Sequence, residues 1–201
     1  MTKRLLDIIF SLLLLTVSIL PIFLSICIFY LLYRENPFYI SCRAGKDGHA
    51  FKIYKLKSMR SVSSSQTSDA QRITRWGIFI RKISLDELPQ FWNVLKGDMS
   101  MVGPRPLLLE YNNLYTKNQR KRLDVRPGIT GLAQVKGRNL LSWKKKFRYD
   151  QFYVSKQTLY FDAWIIMRTI QKVWKQEGIS QQNYVTMENF TDYQTSRREI
   201  V

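Results

Sequence analysis

Hydrophobic positions are massed at the start of the chain and become periodic only later. From Leu5 to Leu32 the sequence LLDIIFSLLLLTVSILPIFLSICIFYLL is apolar over 28 positions, apart from Asp7 and a few hydroxyl side chains. That exceeds the ~20 residues a helix needs to cross a bilayer. Pro21 stands in the middle of the run, where it removes an intrahelical hydrogen bond and clashes with the preceding turn, so a kink is expected there. Each arm is then about 14 residues, or roughly 20 Å, too short for ~30 Å of hydrocarbon. Lys3 and Arg4 precede the run, and Arg34, Arg43, Lys46, Lys52, Lys55 and Lys57 follow it. The positive-inside bias therefore asks for both ends to be cytoplasmic. A re-entrant helix-break-helix over residues 1–36, entering and leaving by one face, satisfies both conditions. A true span is the alternative, since prolines do occur in spanning helices. A secretory signal fits poorly, because no small-x-small cleavage site precedes a polar start, and Ile26 spoils a lipoprotein signal at Cys27.

Beyond the apolar run the pattern predicts a mostly α fold with a small β element. Residues 50 to 59, AFKIYKLKSM, set Phe51, Ile53, Tyr54, Leu56 and Met59 against Lys52, Lys55 and Lys57, a short strand with a basic face. Ser61 to Asp69 reads as a mobile loop. Helices are expected over Ala70–Ile83, from about Asp86 to Lys96 with Gly97 ending it, and over Pro106–Leu123. The stretch RPGITGLAQVKGRN, Arg126 to Asn139, holds a proline and three glycines that ask for unusual backbone angles. Two further helices, within 140–157 and 159–176, interleave Trp143, Phe147, Phe152, Trp164 and Trp174 with Lys and Arg. Aromatics beside basic side chains suit amphipathic helices at the headgroup level of a membrane. Packing of an apolar stripe on the core is an equal reading. The expected organisation is a membrane segment at 1–36, a catalytic body at 37–179 and a polar tail at 180–201.

Charge narrows the partners. In 201 residues there are 32 Lys and Arg against 15 Asp and Glu, a formal charge of +17, which attracts polyanions: nucleic acid, anionic lipid or phosphorylated small molecules. Cys27 and Cys42 form no C-x-x-C pair or disulfide framework, so a reducing cytoplasm suits the chain. His49 is the single histidine, so a histidine-based triad would rest on one loop residue and a zinc cluster lacks ligands, which sets both aside.

Against this basic background Asp86 and Glu87 stand together. Ser84-Leu85-Asp86-Glu87 matches a capping box, the bland explanation. Pro89 weakens it, because with Ser84 as N-cap the proline becomes the fifth helical residue, at a cost of ~3 kcal/mol. With Asp86 as N-cap, Pro89 falls in the first turn, where no N–H is required. Either way both carboxylates lie at a helix N-terminus. Gly103-Pro104-Arg105-Pro106 then holds a guanidinium on a rigid turn, and Lys136-Gly137-Arg138-Asn139 presents another. Arginine forks match phosphate oxygens, so a phosphate-handling site beside a membrane is expected. The competing readings are a basic membrane-surface binding module and a single-span scaffold.

The stretches SLDELPQFWNVLKGDMSMVGPRPLLLEY and VRPGITGLAQVKGRN, with FKIYKLKSM and the N-terminal apolar run, resemble the bacterial sugar transferase family, the monotopic phosphoglycosyl transferases. The likeness covers roughly Lys3 to Phe190. The resemblance implies that Asp86 and Glu87 are a catalytic dyad that also holds Mg²⁺. Asp86 would attack the sugar-linked phosphate of a UDP-sugar, expel UMP and pass the sugar phosphate to polyprenyl (undecaprenyl) phosphate. By motif position Arg81 would bind polyprenyl phosphate and Arg105 and Arg138 the nucleotide sugar, with Lys55 and Lys57 as weaker candidates. Pro21 occupies the place of the family's membrane-helix break, although Leu20 stands where a serine is common, and Ser58 replaces a usual threonine. The short chain resembles the minimal members, which take an N-acetylated, bacillosamine-type sugar in protein glycosylation. The implied location is the cytoplasmic face of the bacterial inner membrane, with membrane lipid a partner and nucleic acid not.

Overall fold

A computed structural model describes residues 2–62, 68–137, 140–175, 189–191 and 193–194. Among them the chain is mostly helical, with two small two-stranded sheets. The apolar run forms one helix, α1, Thr2–Tyr33, with Pro21 inside it. The helix is continuous, so the arms expected on either side of the proline are not separate elements. Arg34, at φ 55°, ends it in the left-handed region.

One face of α1 is buried. Asp7, Ser11, Ser18, Ser25 and Phe29 point into the protein, and the serines recur every seven residues, two helical turns apart on one side. Their small side chains let α1 approach β3 and α4, defined below, while Leu5, Leu12, Val17, Leu20, Phe23 and Leu31 remain more than half exposed. Both ends are tied to the body. Arg4 donates to the Val94 and Leu95 carbonyls at 2.6 and 2.9 Å, satisfying acceptors at a helix C-terminus. At the other end the Trp76 indole donates to Ser25 at 3.2 Å, and Glu35 receives Lys57, Arg60 and Ser61.

The basic strand is β2, Ala50–Leu56, paired antiparallel with β1, Phe38–Ala44. The helix expected over Ala70–Ile83 is split into α2, Asp69–Arg72, and α3, Arg75–Lys82. The break comes because Ile73 bridges to Met59, and Thr74 caps α3 by accepting the Gly77 N–H at 2.8 Å. Of the loop expected at Ser61–Asp69, residues 63–67 lie outside the described residues.

The helix expected from Asp86 begins later, as α4, Gln90–Lys96, with Pro89 at its N-cap and Gly97 closing it at φ 95°. β3, Ser100–Val102, runs parallel to β4, Gly128–Thr130. Pro106–Leu123 is not one helix but a 3₁₀ turn, Leu109–Asn113, then α5, Lys117–Arg120, and a second 3₁₀ turn, Lys121–Leu123. Asn112 and Asn113 are weak helix formers, and Thr116 restarts the helix through a capping box with Gln119. α6, Leu132–Gly137, α7, Trp143–Lys156, and α8, Leu159–Trp174, complete the body.

The main core gathers Ile53, Phe91, Val94, Met99, Val102, Leu132, Tyr153 and Ile165. A second, aromatic core packs Tyr111, Tyr115, Trp143 and Phe147 around Phe190. Phe190 is fully buried and Tyr193 packs beside it, so the tail expected to be polar contributes to this core. Most of 180–201 lies outside the described residues. α7 and α8 bury one stripe and expose Phe152, Tyr160, Met167, Ile170 and Trp174, so they carry both an inner apolar stripe and an outer aromatic set.

Candidate active site

Asp86 and Glu87 lie on a 3₁₀ turn, Leu85–Glu87, ahead of α4. The expected capping box is not formed: Ser84 sits in the left-handed region at φ 58° and makes no side-chain cap. Glu87 points instead to cations. Its Oε1 accepts Lys55 Nζ at 2.6 Å and Arg105 Nη2 at 3.0 Å. Burial alone would raise the Glu87 carboxyl, but Lys55 and Arg105 outweigh it and hold the group well below the usual carboxylate range. Among the described residues Asp86 makes no such pair. Burial first, then the Glu87 charge beside it, push its carboxyl up to about 6, against the pull of Lys55, Arg81 and Arg105.

Each cation is placed by a local device. Lys55 is carried on β2, whose free edge is fixed by the fully buried Asn93 of α4, donating to the Lys52 carbonyl at 2.7 Å and accepting the Tyr54 N–H at 3.2 Å. Arg81 ends α3 and donates to Ser58 Oγ at 2.8 Å, so the departure at Ser58 keeps a hydroxyl where it is used. Gly77 lets α3 lie on that residue, since a Cβ there would stand 1.8 Å from the Ser58 carbonyl oxygen.

Arg105 follows Gly103 and Pro104, and here the glycines serve close approach, not unusual angles. A Cβ on Gly128 would lie 2.0 Å from the Gly103 nitrogen, and one on Gly131 would lie 2.1 Å from the Gly103 oxygen. Gly48 and Gly97 are the described glycines with positive φ. From behind, Arg122 donates to the Arg105 carbonyl at 2.6 Å while pairing with Asp150 at 3.0 Å.

The fold thus gathers Asp86, Glu87, Lys55, Arg81 and Arg105. Lys57 is directed elsewhere, to Glu35 at 2.8 Å. Arg138 lies outside the described residues. Arg43 and Lys146 lie within the electrostatic reach of Arg105: burial lowers Arg43, with Arg105 adding to the effect, and burial with Arg105 brings Lys146 down to about 8. As basic residues among many, they carried no local signal.

The deciding match covers most of the chain: the model of the bacterial sugar transferase family aligns with residues 1–176. The chain belongs to the bacterial sugar transferase family. This transferase is 44% identical over 192 residues to the uncharacterized sugar transferase EpsL of Bacillus subtilis (strain 168), covering 94% of this chain and 95% of that protein. It is 36% identical over 200 residues to the undecaprenyl-phosphate galactose phosphotransferase of Salmonella typhimurium, covering 88% of this chain and 41% of the relative. With the UDP-glucose:undecaprenyl-phosphate glucose-1-phosphate transferase of Escherichia coli (strain K12) it shares 36% over 184 residues, 85% of this chain and 39% of the relative. The transferase therefore spans nearly all of the first of these and about two fifths of the other two.

Proposed function

We propose that this enzyme transfers a sugar 1-phosphate from a UDP-sugar to undecaprenyl phosphate and releases UMP, initiating glycoconjugate assembly. The observation that carries the reading is the contrast within the acid pair. Glu87 is tied up by two cations, whereas Asp86, among the described residues, has no ion pair and lies within the field of Lys55, Arg81 and Arg105. A carboxylate so placed is suited to attack phosphorus, because the surrounding cations offset the repulsion between two anions.

In the first half-reaction an Asp86 oxygen bonds to the sugar-linked phosphorus, and the bond from that phosphorus to the bridging oxygen breaks, so UMP leaves with the electron pair. In the second, an oxygen of undecaprenyl phosphate attacks the same phosphorus and the Asp86 carboxylate is regenerated. Arg105 binds the donor phosphates and Arg81 the lipid phosphate. Glu87, held ionised, orients Lys55 and Arg105. The two carboxylates also fit Mg²⁺, a hard cation that needs one or two carboxylates when phosphates supply other oxygens. Glu87 Oε1 is shared by two cations, while its second oxygen and both Asp86 oxygens are hard donors of the required kind. When bound there, Mg²⁺ would neutralise diphosphate charge.

The contacts of α1 support a membrane arrangement. Lys3 and Arg4 at one end and Ser25 and Glu35 at the other all contact the body. From Arg4 to Ser25 is roughly 32 Å of helix, about the thickness of the hydrocarbon layer. A helix crossing perpendicular to the membrane would drag one of these polar contact sets into lipid. We infer that α1 stays in one leaflet, with both ends and the body on the cytoplasmic side.

On the sugar, the named relatives point to galactose and glucose, and an N-acetylated, bacillosamine-type sugar is the alternative set beside them. The test is UMP release by the purified protein with undecaprenyl phosphate and Mg²⁺ across UDP-glucose, UDP-galactose and N-acetylated UDP-sugars. One donor is expected to give UMP and lipid-linked sugar diphosphate, with Asp86→Asn inactive. Full turnover by Asp86→Asn would overturn the mechanism.

A further inference from the structure

We propose that Asp7, with Lys3 beside it, is a positioning residue for the transfer reaction: the first turns of the membrane helix complete the free edge of β3 and so set the turn that carries Arg105. This rests on the function argued above.

Asp7 is the acidic residue within the apolar run, a poor choice for lipid contact. It is 5% exposed, and its Oδ1 accepts the Met101 N–H at 3.0 Å and the Ser100 hydroxyl at 3.1 Å. β3 is paired on its other side, where the Ser100 N–H donates to Pro127 and the Gly103 N–H to Thr130. The Met101 N–H therefore faces the unpaired edge, and the membrane helix supplies its acceptor. One residue on, the Val102 carbonyl accepts from Lys3 Nζ at 3.3 Å and from the Tyr153 hydroxyl at 2.9 Å. Asp162 joins Lys3 at 2.6 Å and Tyr153 at 2.7 Å.

Gly103-Pro104-Arg105 begins at the next position. Proline fixes its own φ, and Arg122 holds the Arg105 carbonyl, so little slack separates the β3 edge from the 3.0 Å contact between Arg105 and Glu87. Apolar packing through Leu14 and Leu15 would suffice for an anchor. A buried carboxylate bonded to a strand amide adds something else: it fixes the axial position and rotation of α1 against β3. Membrane insertion and the geometry of the donor-binding arginine are thereby mechanically joined.

The test compares the unaltered protein with Asp7→Ala, Asp7→Asn and Ser18→Ala in nanodiscs. It reads the UMP-release rate per folded molecule at saturating donor, the donor KM, and amide hydrogen exchange over residues 100–105. Asp7→Ala is expected to lose at least about tenfold in rate and to exchange faster at Met101 and Gly103, with β1 and β2 unchanged. Asp7→Asn, whose amide oxygen still accepts the Met101 N–H, is expected to recover to within about threefold. Ser18→Ala, which removes an equally buried hydroxyl bonded within α1 to Leu14, is expected to match the unaltered protein. If Asp7→Ala does not accumulate, Lys3→Met carries the same expected loss through Val102. An unchanged rate per folded molecule with unchanged exchange at 100–105 overturns the proposal. Absence of UMP release by the unaltered protein from every UDP-sugar overturns the functional reading instead, and the exchange pattern still decides this one.

Discussion

Asp86 and Glu87 are chain neighbours with opposite electrostatic fates, and that difference is measurable. Glu87 raises the Asp86 carboxyl, while Lys55 and Arg105 are occupied with Glu87. Glu87→Gln removes the first effect and frees the two cations to act on Asp86. The acid limb of the pH–rate profile for UMP release, expected near 6 in the unaltered enzyme, should move to lower pH as the rate falls. Stability gives an independent check. Asp86 goes from 3.8 to about 6 on folding, so the native state holds that proton more tightly than the unfolded chain. Native stability is therefore lost as pH rises from about 4 to 6 and stays lower above it. Asp86→Asn should melt higher than the unaltered protein at pH 7.5, and the gap should close below about pH 4. The acid pair was legible in the sequence because carboxylates are scarce in this basic chain. Asn93 and Ser58 were not, because a buried amide or hydroxyl declares its role only through the backbone groups it meets.

At the scale of elements, period and punctuation marked α7, α8, β2 and the Gly97 stop correctly. Expected helices over 70–83 and 106–123 were broken by local hydrogen bonding that hydrophobic periodicity does not register. Gly77 shows how tertiary contact overrides local propensity. Alanine is favoured over glycine inside a helix by about 1 kcal/mol, yet the added Cβ would lie 1.8 Å from a backbone oxygen. Overpacking of this kind costs about 1–3 kcal/mol and more where backbone cannot yield. Gly77→Ala should thus lower the melting temperature despite its better propensity. It should also weaken transfer to the lipid acceptor, because α3 carries Arg81 against Ser58.

For the whole molecule the membrane helix and the body are one unit. A cysteine at Thr2, in a background without the free Cys27 and Cys42, should react with an impermeant reagent from the same side of sealed vesicles as a cysteine on the body. Reaction from the opposite side would establish a span. The serines at 11, 18 and 25 offered a signal for the docked face, since polar residues at two-turn spacing mark one stripe of a helix. They passed as ordinary hydroxyl residues because small polar side chains are tolerated in membrane helices generally.

Composition and apolar length by themselves marked a membrane-compatible helix and an affinity for anionic partners, and the order of motifs by itself carried the resemblance to the sugar transferases. These features depend on residue type and local spacing, which a linear sequence displays directly. Tertiary structure alone decided that Lys55 reaches Glu87 while Lys57 turns to Glu35, that glycines 103, 128 and 131 bring two backbones together, and that Asp7 closes a strand edge. Each joins residues far apart in the chain, and the energy of such a contact depends on distance and on exclusion of water, neither of which is set until the chain has packed.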